Sequence, residues 1–136
     1  MAAGTLAARL LLAALFVVEG AMKISAYGQI VGYMEAQGVP GALLPLVILT
    51  ELGGGLMVAA GLFTRIAATA LAGFCLLTAL LFHGALSDPE QLIHFGKNLG
   101  LAGGFLMLAL HGAGPWSVDA WRKADTAGVP SAGKPV

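Results

Sequence analysis

The sequence holds a single cysteine, Cys75. One thiol closes no internal disulfide and makes no CxxC redox pair, so any electron transfer needs a bound cofactor or a partner. Cys75 itself reads as a small buried apolar residue. Charge is equally scarce. Seven Lys and Arg balance seven Asp and Glu, and together they make up 10% of the chain. A formal net charge of zero leaves no basic surface for nucleic acid, and no nucleic-acid motif is present. What fills the chain instead is apolar. Hydrophobic residues account for 58% and mean hydropathy is +0.87, against about 45–50% apolar and about 25% charged residues in ordinary globular chains. A chain of 136 residues cannot hide that much apolar surface in its own core, so composition points to one compact integral membrane domain.

A spanning helix needs about 20 mostly apolar residues. Four windows qualify, at 5–24, 42–62, 66–86 and 93–112. No alternating pattern of a membrane barrel is visible. The expected fold is therefore all-α: an integral membrane four-helix transmembrane bundle over residues 1–123, with 124–136 as a disordered tail. Arg9 ahead of an apolar run resembles a signal peptide, but the run reaches Glu19 and Lys23 without a small-residue cleavage motif. It reads as a retained span. Loop 25–41 is expected to carry a short interfacial helix around Tyr27–Gln37. Ser87 or Asp88 caps the fourth span, with Pro89 in its first turn and Glu90 near its positive end. Trp116 and Trp121 suit a membrane interface. Arg9, Arg65, Arg122, Lys123 and Lys134 fall on one side of four spans, which predicts that both termini are cytoplasmic.

Threading the spans through that topology sorts the polar residues by depth. Glu19 and Lys23 lie in the outer half of the first span, Glu51 in that of the second, His83 at the end of the third, and His94, Lys97 and Asn98 at the start of the fourth. A charge near the bilayer centre costs roughly 2.5–3.5 kcal/mol even on the lenient insertion scale. These seven residues are therefore expected to face the bundle interior and pair with one another. Glu19 and Lys23, four apart, share a helix face, and His94, Lys97 and Asn98 share one stripe. Gly96 points roughly 160° away from His94 at 3.6 residues per turn. Gly96, Gly100 and Gly104 thus form a separate ridge, expected to let another backbone approach closely.

Two readings of the cluster stand side by side. It is a structural ion-pair network that fixes helix register, or it is a small polar pocket that binds a ligand headgroup or relays protons. A metal site is not expected, because no HxxxH or ExxH pair shares a helix and lysine opposes a cation. The methionines read as packing, and His111 as interfacial.

The stretches RLLLAALFVVEGAMKI, ELGGGLMVAAGLFTRIAA and HFGKNLGLAGG resemble the DoxX family of small bacterial inner-membrane proteins. The resemblance covers roughly residues 5–112 and implies a multi-pass, four-helix protein of the inner (plasma) membrane. It marks Glu19, Lys23, Glu51, Arg65, Lys97 and Asn98 as family-like polar positions, with Arg65 structural. The family takes its name from a subunit of a thiosulfate:quinone oxidoreductase, which implies quinone as the cofactor and a redox protein as partner. Three functions follow. The first is a quinone-linked redox or accessory subunit, in which Lys97 or Asn98 donates to a quinone carbonyl and Glu19 or Glu51 handles protons. The second is a non-enzymatic scaffold that recruits a partner through the glycine ridge. The third is a small solute or proton pathway, for which four helices require a homo-oligomer, since no inverted repeat is evident.

Overall fold

The computed structural model describes residues 1–128. Helix α1 spans Ala2–Ser25 and α2 spans Tyr27–Ala36. Helix α3 runs Gly41–Ala60, α4 Thr64–Phe82, α5 Pro89–His111 and α6 Val118–Thr126. No strand occurs among the described residues. Helices α1, α3, α4 and α5 are long and apolar enough to cross a membrane. The interfacial helix expected around Tyr27–Gln37 is α2. Asp88 caps α5, its carboxylate accepting from the Glu90 N–H at 2.9 Å, with Pro89 following in the first turn. Helix α6 takes in the first residues of the segment read as a tail, which it covers to Thr126. The remainder of that tail, from residue 129 on and including Lys134, lies outside the described residues.

The four spans enclose one core. Ala67, Ala68, Leu71, Ala72 and Cys75 of α4 pack on Ala102, Phe105 and Leu108 of α5, with Ala13 and Phe16 of α1 and Val58 of α3 closing the cluster. Small side chains on α4 and α5 let the two backbones come close, the means by which apolar helices gain packing energy where lipid is no worse a solvent than protein. Phe16 meets the Phe105 ring edge-on at 5.3 Å and the Phe74 ring at 6.5 Å. Leucines on the outer faces, such as Leu11, Leu46, Leu80 and Leu110, are exposed, as a lipid-facing surface requires.

The end of the bundle that carries the N-terminus and α6 is stapled by two polar residues. Arg9, read from the sequence as a topological marker, is 2% exposed and donates to three carbonyls: Ala59 at 3.3 Å, Ala113 at 2.5 Å and Trp116 at 2.8 Å. One guanidinium thus ties α1 to the end of α3 and to the loop after α5, because its planar fork offers donors in several directions. Asp119 of α6 accepts from the Phe63 N–H at 2.8 Å and the Thr64 N–H at 2.9 Å, which caps α4 from a distant part of the chain. The turn it caps is tight: Gly61 has φ 70° and Phe63 φ 44°. A side chain at Gly61 would run into Ser117. Phe63 tolerates its left-handed backbone beneath Arg122, whose guanidinium sits 4.6 Å from the ring centroid.

Partial burial pushes the Asp119 carboxyl up, but the Thr64 and Phe63 hydrogen bonds and the Arg122 charge outweigh it and hold it below the ordinary carboxylate value. A depressed folded pKa contributes stability that is complete above the unfolded value, about 3.9, and is lost as pH falls through the folded one. Docking of α6 is thus expected to persist at neutral pH. Acidification through and below that range should speed hydrogen exchange at Phe63 and Thr64 before the spans exchange.

Candidate functional site

At the opposite end of the bundle the chain closes around a cavity of about 680 Å³. All seven polar residues expected to share a depth line it: Glu19, Lys23, Glu51, His83, His94, Lys97 and Asn98. Its apolar walls come from α1, α3, α4 and α5, and Ile30, Tyr33 and Met34 of α2 cover one side. Tyr33 stacks on Phe82 at 5.6 Å, which ties α2 to the end of α4.

The carboxylate side of the cavity is built on a close crossing of α1 and α3. A Cβ placed on Gly20 would lie 2.8 Å from the Leu52 nitrogen, so only glycine allows the two helices to meet there. The crossing coincides with a π-helical turn at Leu49–Gly53 inside α3, a local widening that occurs mostly at functional positions. Glu51 sits in that turn with its side chain 3% exposed. Lys23, one turn beyond Gly20, reaches both of its oxygens, at 2.8 and 3.0 Å, while Glu19 stands 3.7 Å from the same ammonium. The trio sets two carboxyl groups around one amine. Gly20→Ala is expected to force the helices apart and cost about 1–3 kcal/mol, as overpacking does. Thermal unfolding in detergent checks it, and an unchanged midpoint would contradict the crossing.

The facing side is basic and looser. His83 and His94 stack at 5.0 Å with their planes 25° apart, and His83 Nδ1 lies 2.8 Å from Gln91 Oε1. Lys97 lines the cavity from an exposed position and Asn98 from a buried one. Two expectations need correction here. Lys97 and the histidines do not pair with the carboxylates: among the described residues the only ion pairs are those of Lys23, while His83 takes Gln91 as its hydrogen-bond partner and His94 packs its ring on that of His83. The glycine ridge does not pack either. A Cβ on Gly96 or Gly100 meets nothing within 4 Å, and only Gly104 touches another helix, through Leu12. The reason is that Asn98, Ala102, Phe105 and Leu108 form the inward stripe of α5, which leaves Gly96 and Gly100 on its outer face. Arg65 is exposed and belongs to the other end, beside Gly112.

The sequence reading missed Gln91, which no charge or spacing singled out, and the enclosing role of α2. Thr50 and Thr78 also line the cavity, but both hydroxyls donate to backbone carbonyls of their own helices.

Comparison with known proteins gives a consistent relationship. The family model described as DoxX matches residues 4–84. That span holds Glu19, Lys23, Glu51 and His83 and ends ahead of α5. The chain belongs to the DoxX family. This DoxX protein is 50% identical over 116 residues to the inner membrane protein YqjF of Escherichia coli K12, covering 85% of the chain and 89% of that relative. It is 32% identical over 122 residues to the inner membrane protein YphA of the same organism, with 84% and 86% covered. Both matches extend well past residue 84 in length. No solved structure matches the chain significantly. Four apolar spans and these relatives make it a multi-pass inner-membrane protein.

Proposed function

We propose that this DoxX protein is a quinone-linked redox or accessory subunit and that the cavity opposite the termini holds the quinone ring. The observation that carries the reading is the convergence of seven polar side chains from four spans on one apolar-walled cavity. Its size falls within the roughly 300–1,000 Å³ of small-molecule sites. The residues suit the group. A quinone is a flat apolar ring with two carbonyl acceptors, and when bound it supplies a two-electron, two-proton acceptor. Lys97 and Asn98 offer donors for a carbonyl, and the Glu19–Lys23–Glu51 trio offers a carboxylate able to hold or release a proton. Electrons would come from a partner protein, in keeping with the single buried Cys75. The exposed Arg65, Arg122 and Lys123 at the terminal end support cytoplasmic termini and, with them, a cavity in the periplasmic half.

The test is quinone occupancy of protein purified in mild detergent. Lys97→Met is expected to lower quinone affinity about tenfold or more, the size of one lost hydrogen bond to a charged donor. Unchanged affinity would overturn this reading in favour of the scaffold one, which rests on the open strip at Gly96 and Gly100.

A further inference from the structure

A second groove, of about 720 Å³, lies at the terminal end of the bundle between the starts and ends of α4, α5 and α6. We propose that it binds the phosphate of an anionic phospholipid. Arg65 at the start of α4, His111 at the end of α5, and Arg122 and Lys123 on α6 line it. The carboxylate among them, Asp119, is already committed to the Phe63 and Thr64 amides. That cap occupies the positive end of α4, so the groove's attraction for an anion comes from side chains. Three permanent cations face one satisfied carboxylate. Among the described residues neither Arg65 nor Lys123 forms an ion pair. Arg65 stands beside Gly112, which has φ 80° and no side chain to fill the groove floor.

Position makes the ligand a lipid headgroup. The groove sits where the second, third and fourth spans end or begin, the level at which basic pockets between helices meet anionic headgroups. Trp116, between the lining residues Pro115 and Ser117, and Trp121, between Ala120 and Arg122, are 58% and 60% exposed, as amphipathic rings at a headgroup layer are. Arg122 is oriented by its stacking on Phe63. The site shares no residue with the cavity at the other end and does not depend on quinone binding there.

Trp116 and Trp121 are the two tryptophans of the chain, and both adjoin lining residues in sequence, so their fluorescence reports on lipid at this end of the bundle and the cation variants assign it to the groove. The full chain is reconstituted in phosphatidylcholine bilayers, and quenching by brominated phosphatidylglycerol is compared with quenching by brominated phosphatidylcholine. The expected result is preferential quenching by the anionic lipid. The preference should fall about fivefold for Arg65→Gln or Lys123→Gln alone and about 25-fold for both, at the contribution typical of one cation near an anionic surface. Both side chains are exposed and, among the described residues, make no hydrogen bond, so the variants are expected to keep the wild-type unfolding midpoint. Millimolar inorganic phosphate is expected to leave the preference intact. Equal quenching by the two lipids, an undiminished preference in the double variant, or loss of the preference on adding inorganic phosphate would each overturn the proposal, the last by reassigning the groove to free phosphate.

Discussion

Lys23→Met is expected to lower stability by about 3–5 kcal/mol, the cost of stranding one member of a buried ion pair. Glu51 would keep its place in the π-helical turn, 3% exposed, with no cation near enough to offset its charge. The second carboxylate, Glu19, would then stand against it unscreened. Lys23→Met combined with Glu51→Leu should recover most of that loss, because a buried pair replaced by apolar side chains of similar volume is often neutral. Equilibrium unfolding in mixed micelles measures both. A single variant within about half a kcal/mol of wild type would show that the pair contributes nothing. The double variant also separates the two readings of the trio. If it folds but loses quinone, Lys23 and Glu51 are kept for the ligand; if it folds and keeps quinone, they are kept for helix register.

The other large effect lies at the far end of the bundle. Arg9→Met is expected to destabilise by about 3–5 kcal/mol, since several carbonyls lose a charged donor at once and a buried unpaired acceptor costs about 1–3 kcal/mol. Ala59, Ala113 and Trp116 belong to separate parts of the chain, so their release should also loosen the loop after α5. Limited proteolysis should then cut between Gly112 and Ser117 faster than in the wild type, whose loop Arg9 holds at Ala113 and Trp116. Arg9→Lys should fall between the two, because an ammonium keeps the charge but cannot reach three carbonyls as a planar fork does. Cleavage at the wild-type rate in Arg9→Met would show that α6 is held by Asp119 alone.

Arg9 also marks the limit of what the chain reveals before it is folded. Its position ahead of an apolar run has the same appearance whether the side chain faces a headgroup or caps a neighbouring helix. Only the arrival of residues more than a hundred positions away decides which. The spans were legible because lipid imposes a length and a composition on any helix that crosses it. The depth of Glu19, Lys23, Glu51, His83, His94, Lys97 and Asn98 followed from topology alone, and all seven do line one cavity. Their partners did not follow. Helical spacing places Glu19 beside Lys23, but nothing in it says that Gly20 lets α1 approach α3 closely enough for Lys23 to reach Glu51. The glycines of α5 misled for a related reason. A ridge of small residues permits close packing without requiring it, and the inward stripe through Asn98 and Phe105 turned Gly96 and Gly100 outward. The π-helical turn around Glu51 and the His83–Gln91 contact have no local signature at all.

Photoaffinity labelling with an azidoquinone in native-like bilayers, followed by peptide mapping, tests the central claim most directly. The account predicts label on the segments around Lys23, Glu51, His83 and Lys97, removed by excess unlabelled quinone. Label spread over the outward leucines of the spans and insensitive to competitor would contradict it.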